Sequence, residues 1–146
     1  MSSPEVAQGP GSFYWCLDRL NIAGNSAFSA VAYTVCDRWA VWPEQMLGRA
    51  AAVEAISLPD DPPLSTGLQF VRSQRGHVVM ARRFAWHLAY EFTEAPADII
   101  ASAFGNYTPQ TVAPWLKTTT QLEKYYPLTP KLLPSLGKVV SDRLEV

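Results

Sequence analysis

Charged residues are scarce in this chain. They make up 17% of its 146 residues, whereas about 25% is usual for globular domains. Such a shortfall is typical of a protein whose surface is partly covered by lipid or by other proteins. The net charge of −1 also gives no general attraction to nucleic acid, so electrostatic recognition has to come from a local cluster of charge.

Motifs for catalysis, cofactor binding and metal binding are also lacking. The chain has no glycine-rich phosphate loop, no nucleophile elbow, no cysteine pair at metal-binding spacing and no histidine pair one helical turn apart. We interpret His77 and His87, ten residues apart, as structural residues. We interpret the adjacent Asp60 and Asp61, which have prolines on both sides, as a solvated turn and not as an acid/base pair. The sequence therefore predicts no enzyme, no cofactor and no metal.

Two cysteines are too few for a disulfide framework. On one helix, Cys16 and Cys36 would lie about 30 Å apart, because a helix rises by about 1.5 Å per residue. That separation is far beyond the reach of a disulfide bond.

Residues 1–11 show neither the apolar run of a signal peptide nor the arginines of a transit peptide. We expect a flexible lead-in there, followed by a single helical domain over residues 12–146.

What the chain does have is helical periodicity. Apolar residues recur every three or four positions, and no strand-like alternation is sustained. We therefore predict an all-α fold of several amphipathic or membrane-associated helices with a proline-punctuated C-terminal segment. A long helix is expected from Phe13 to Trp42, bent near Gly24 and ending before Pro43. A shorter helix is expected from Pro43 to about Ile56.

The clearest helical pattern covers residues 68–92, where an apolar face lies opposite a basic one. The apolar residues are Phe70, Ala81, Phe84, Leu88 and Phe92. Pro96 is expected to start another short helix, and further short helices are expected over residues 112–126 and 132–144. Lysines recur there every seven residues, but three prolines interrupt the segment. We interpret the lysine spacing as accidental, because prolines exclude a continuous coiled coil.

The basic face of residues 68–92 is the candidate binding surface. No acidic residue occurs between Asp61 and Glu91, so positive charge is concentrated there. It can bind the phosphates of an anionic, cardiolipin-like phospholipid or the carboxylates of a partner subunit, and a merely solvated face is the alternative. RNA binding is not expected, because the chain as a whole is not basic. The predicted lipid- or partner-binding residues are Arg72, Arg75, Arg82, Arg83 and Trp86.

The segment Leu20–Cys36 carries no charge and bears on membrane association. It is shorter than the roughly 20 apolar residues that a free-standing span needs, and it contains several polar side chains. Its small residues allow close helix packing, which is common between membrane helices. The segment is equally compatible with a helix in the core of a soluble bundle.

Three parts of the chain resemble the mitochondrial fission process protein family. The residues that carry the resemblance are Arg19-Leu20, Ala23-Gly24-Asn25 and Ala27-Phe28, then Phe84-Ala85-Trp86 with Leu88-Ala89, Pro96 and Ile99, and finally Trp115, Lys117-Thr118-Thr119-Thr120 and Leu122 before prolines 127, 130 and 134. The resemblance implies a small protein of the mitochondrial inner membrane with several hydrophobic helices and no catalytic residues.

Arg82 and Arg83 interrupt the middle apolar segment, and arginines at membrane depth need partners or headgroups. We therefore predict a non-catalytic accessory subunit of an inner-membrane complex of the respiratory-chain or ATP-synthase type. One alternative is a free inner-membrane protein involved in membrane shaping or fission. Another is a soluble helical domain that binds an apolar ligand among its aromatic residues.

Overall fold

The computed structural model describes residues 22–41, 43–47, 76–105 and 107–144. Every regular element in these ranges is helical, which confirms the all-α prediction for this part of the chain. Three predictions lie outside the described residues. They are the lead-in at residues 1–11, the helix start at Phe13, and the part of the second predicted helix that follows residue 47. The α-helices are α1 (Ser26–Trp39), α2 (Pro43–Leu47), α3 (Gly76–Thr93), α4 (Ala97–Ala103), α5 (Pro109–Val112), α6 (Thr120–Tyr125) and α7 (Thr129–Leu144), with 3₁₀ turns at Ile22–Gly24 and Ala113–Trp115.

The first predicted helix is broken, not bent, before α1. Ala23 and Gly24 have φ values of 53° and 66°, in the left-handed region that ends a right-handed helix. Asn25 then caps α1, because its Oδ1 accepts the Phe28 N–H at 3.1 Å. The prediction of one continuous helix is therefore wrong at this point. The predicted stop before Pro43 is confirmed, since α1 ends at Trp39.

The core lies where α1 packs against α3 and α7. Phe28, Val31 and Val35 of α1 are fully buried, as are Phe84 and Leu88 of α3. Of the apolar residues predicted to share one face, Ala81, Phe84 and Leu88 are buried and Phe92 is half-buried, while Phe70 lies outside the described residues. Burial of each such side chain stabilises the fold by roughly 1.5–3 kcal/mol relative to exposure. The core therefore fixes α3, which carries three of the predicted binding residues, Arg82, Arg83 and Trp86.

Prolines shape the C-terminal half in two ways. Pro96 immediately precedes α4, as predicted. In contrast, α7 runs through both Pro130 and Pro134 and is longer than the helix expected from residue 132. A proline in the first turn is compatible with a helix because the N–H groups there have no helical partner. Pro134 has no N–H, so α7 lacks one backbone hydrogen bond at this position. Leu136 and Val140 are buried in the core and stabilise the helix there.

Within the residues that the structure describes, no helix is both long and apolar enough to cross a membrane.

Candidate anion-binding site

Arg82 lies in the interior and not on an exposed face, which corrects the predicted position of this residue. Its side chain is 1% exposed. Its Nε donates to the Met46 carbonyl and its Nη2 to the Gln45 carbonyl, each at 2.9 Å. Both carbonyls belong to the end of α2, and the last carbonyls of a helix have no N–H partner within that helix. Arg82 therefore joins α2 to α3, and lipid cannot reach it.

Trp86 is also buried and is no part of an exposed surface. It is 3% exposed, and its Nε1 donates to the Phe104 carbonyl at 2.9 Å. Its ring packs edge-on against Tyr107, with 5.3 Å between the ring centroids. The predicted lipid contact is therefore replaced by a core contact. Arg72 and Arg75, the remaining members of the predicted arginine face, lie outside the described residues.

Among the three predicted site residues that the structure describes, Arg83 is the one that is only half-buried. Its guanidinium carbon lies 4.4 Å from the centre of the Trp115 ring and 5.4 Å from that of Tyr125. Its Nη1 also donates to the Tyr126 hydroxyl at 3.0 Å. Electron-rich ring faces attract a cation, so three side chains from the segment after α5 hold the half-buried Arg83 in place.

Arg83 keeps unused hydrogen-bonding capacity. It forms no ion pair with any carboxylate among the described residues. Its Nε and Nη2 make no hydrogen bond to the described residues, and the residue as a whole is half-buried. A guanidinium whose orientation is fixed and which has two further donors is suited to a two-point contact with a phosphate or carboxylate. The site can therefore bind an anion.

Lys124 adds a second positive charge to this site. Its ammonium lies 5.7 Å from the centre of the same Tyr125 ring that Arg83 contacts. The two distances to that ring limit the separation of the cations to about 11 Å. Tyr125 is itself 54% exposed. Residues 107–144 hold five basic and two acidic residues, so this segment carries an excess of positive charge although the whole chain is nearly neutral.

His87 holds the backbone of Trp115, one of the aromatic residues that contact Arg83. It is buried, and its Nδ1 lies 3.1 Å from the Trp115 carbonyl oxygen. Because a carbonyl only accepts hydrogen bonds, Nδ1 is the donor. This bond fixes the backbone of Trp115, whose ring contacts Arg83. His87 thus has a structural position here, whereas His77 is exposed at the start of α3.

Sequence reasoning missed Trp115, Lys124, Tyr125 and Tyr126. These residues lie more than 30 positions after Arg83, and helical periodicity does not relate the two segments. A local signal existed in the run Lys124-Tyr125-Tyr126, where a cation adjoins two tyrosines. Interleaved basic and aromatic residues are typical of binding surfaces.

The part of the chain that the structure describes holds no group of three or more side chains suited to a metal ion. No family model, no curated protein and no solved structure matches this chain.

Proposed function

We propose that this protein is a non-catalytic accessory subunit of a mitochondrial inner-membrane complex of the respiratory-chain or ATP-synthase type. Its helices would contact lipid and partner helices. The observation that carries this proposal is the half-buried Arg83, a cation that three aromatic side chains fix in place and that forms no ion pair with the described carboxylates. The resemblance to the mitochondrial fission process protein family supports the compartment.

The chemistry of the Arg83 site favours phosphate. Trp115 and Tyr126 hold the guanidinium in one orientation, so little side-chain entropy is lost when an anion binds. Lys124 contacts the same Tyr125 ring and lies within about 11 Å of the Arg83 guanidinium carbon, so we propose that it meets a second anionic group of the same lipid or of a neighbouring one. A lipid with more than one phosphate, such as a cardiolipin-like phospholipid, would use both cations.

Exposed apolar side chains near this site support contact with lipid or a partner. Leu128, which follows the Tyr125–Tyr126 pair by two residues, is 62% exposed. Apolar side chains next to basic ones suit the boundary between headgroups and acyl chains. The same combination suits a partner subunit with a carboxylate beside an apolar groove.

Binding to liposomes tests the lipid contact. We compare the full-length chain with the variants Arg83→Gln and Lys124→Gln, on vesicles with and without cardiolipin. A basic residue near an anionic surface contributes about 1 kcal/mol, so each variant should bind roughly fivefold more weakly. The salt dependence should also become shallower, because fewer charges take part.

Lys138→Gln is the matched control, because Lys138 is exposed on α7 and lies 3.4 Å from Asp142. It should leave binding nearly unchanged. Equal binding by wild type, Arg83→Gln and Lys124→Gln at every salt concentration would refute the lipid contact. Loss of binding by Lys138→Gln alone would place the membrane-facing surface on α7 instead.

A further inference from the structure

A cleft separate from the Arg83 site opens at the end of α3. It has a volume of about 690 Å³ and lies between the α3–α4 connection and residues 113–118. A second compartment of about 350 Å³ shares Tyr90, Glu94, Leu116 and Lys117 with it. Pockets for small ligands typically have volumes of roughly 300–1,000 Å³. None of the aromatic side chains around Arg83 lines either compartment.

Opposite charges line this cleft without neutralising one another. The larger compartment holds Glu94 and Lys117, and the smaller one adds Glu91. Lys117 forms no ion pair with either carboxylate. Glu91 lies 3.4 Å from Nε2 of the buried His87, but that nitrogen makes no hydrogen bond. The cleft therefore presents separated positive and negative groups to whatever enters it.

The two compartments share Glu94 and Lys117 but differ in the groups that each adds to them. The smaller compartment adds Glu91 and Phe92, and the larger one adds Thr118. Aromatic faces and carboxylates together attract an ammonium group. In the larger compartment, Thr118 adjoins Lys117, so a hydroxyl and an ammonium can both donate to an anion.

The backbone places Glu94 at the cleft at a conformational cost. Glu94 has a φ of 56°, a left-handed conformation that L residues with a Cβ atom disfavour. Its N–H donates to the Tyr90 carbonyl at 2.7 Å, which ends α3. Glycine is the usual residue in this position after a helix. The chain instead places a carboxylate there, on the wall of the cleft.

We infer that this cleft binds a small zwitterion that carries a primary ammonium and a phosphate diester, as an ethanolamine phosphodiester does. Glu91 and Glu94 take the ammonium, which can donate three hydrogen bonds, and Tyr90 and Phe92 flank it. Lys117 and Thr118 take the phosphate. A ligand of this kind occurs both as a lipid headgroup and as a free solute. The inference does not depend on the Arg83 site.

Amide chemical shifts of the full-length chain, labelled with nitrogen-15, test the inference with glycerophosphoethanolamine as the probe. Saturable shifts are expected at Ala97 and Thr118. Ethanolamine and glycerol phosphate, which carry one charge sign each, should bind at least roughly tenfold more weakly, a difference of about 1.4 kcal/mol. Glu94→Gln and Lys117→Gln should each weaken binding of the probe by a similar factor.

Asp98→Asn is the control, because Asp98 is an exposed carboxylate on α4 that does not line the cleft. It should bind the probe as wild type does. The inference is overturned if no saturable shift occurs up to roughly 20 mM, where even a millimolar site would be filled. It is also overturned if glycerol phosphate alone binds as tightly, or if both cleft variants bind normally.

Vesicles distinguish the two sources of the ligand. If vesicles rich in phosphatidylethanolamine compete with the soluble probe and phosphatidylcholine vesicles do not, the cleft binds a lipid headgroup. If neither vesicle competes but the soluble probe binds, the ligand is a free phosphodiester. Both results support the ligand class, and the Arg83 variants should change neither.

Discussion

Replacing Arg82 by methionine should destabilise the fold by about 3 kcal/mol. The side chain is buried, and its two bonds to the α2 carbonyls are both 2.9 Å long. A hydrogen bond from a charged donor contributes about 1.5–3 kcal/mol. Methionine would leave both carbonyls without this donor, while removal of a buried charge would offset part of the loss. For a chain of this size, the change corresponds to a Tm lowered by roughly 10 °C.

Urea unfolding followed by far-ultraviolet circular dichroism measures this change. Arg83→Met is the matched comparison, because Arg83 is the next residue on α3 and only half-buried. It loses two partly exposed cation–π contacts and one hydrogen bond, so we expect a cost of about 1–2 kcal/mol. Arg82→Lys should fall between the two, since one ammonium cannot reproduce the two-point geometry. Equal costs for Arg82→Met and Arg83→Met, or a cost below about 1 kcal/mol for Arg82→Met, would refute the α2–α3 contact.

Two further predictions concern the core and the start of α1. Leu88→Ala should lower the free energy of unfolding by about 3 kcal/mol, because Leu88 is fully buried in α3. A loss below about 1 kcal/mol in urea unfolding would contradict its core position. Asn25→Ala should cost about 1 kcal/mol, because the Phe28 N–H loses its side-chain acceptor. Asn25→Asp should restore the cap, and equal stability of Asn25→Ala and wild type would show that the cap contributes nothing.

The apolar face of α3 could be predicted from the sequence, but the different positions of its arginines could not. Phe84 and Leu88 are four residues apart, so they fall on one side of any helix. Arg82 is buried because carbonyls from α2 satisfy its guanidinium. That contact joins Arg82 to residues more than 30 positions earlier in the chain. Neither the composition nor the periodicity of the sequence indicates such a contact. A cation is ordinarily exposed, so the sequence favoured the wrong position.

The C-terminal half shows a different limit of sequence reasoning. The prolines predict an interruption of the segment that carries the regularly spaced lysines, yet α7 runs through Pro130 and Pro134 and carries both Lys131 and Lys138. Seven residues are close to two helical turns, so these two lysines share one side of α7. Both are exposed. The spacing therefore follows the outer face of a helix, although no coiled coil is formed.

The break before α1 was only partly predictable. Gly24 marked the position, since glycine adopts the left-handed conformation readily. Ala23 adopts it as well, with a φ of 53°, and alanine gives no such signal. In the sequence, Asn25 is one polar residue within the uncharged segment Leu20–Cys36, whereas in the structure its side chain caps the start of α1.

The size of the particle in which the native chain travels tests the central proposal most directly. The measurement is a two-dimensional native gel of mildly solubilised mitochondrial membranes, probed for this chain. The accessory-subunit proposal predicts that the chain comigrates with a large membrane complex. A signal confined to small membrane particles would contradict it and favour the free protein involved in membrane shaping or fission. A signal found only in the soluble fraction would contradict both and favour the helical domain that binds an apolar ligand.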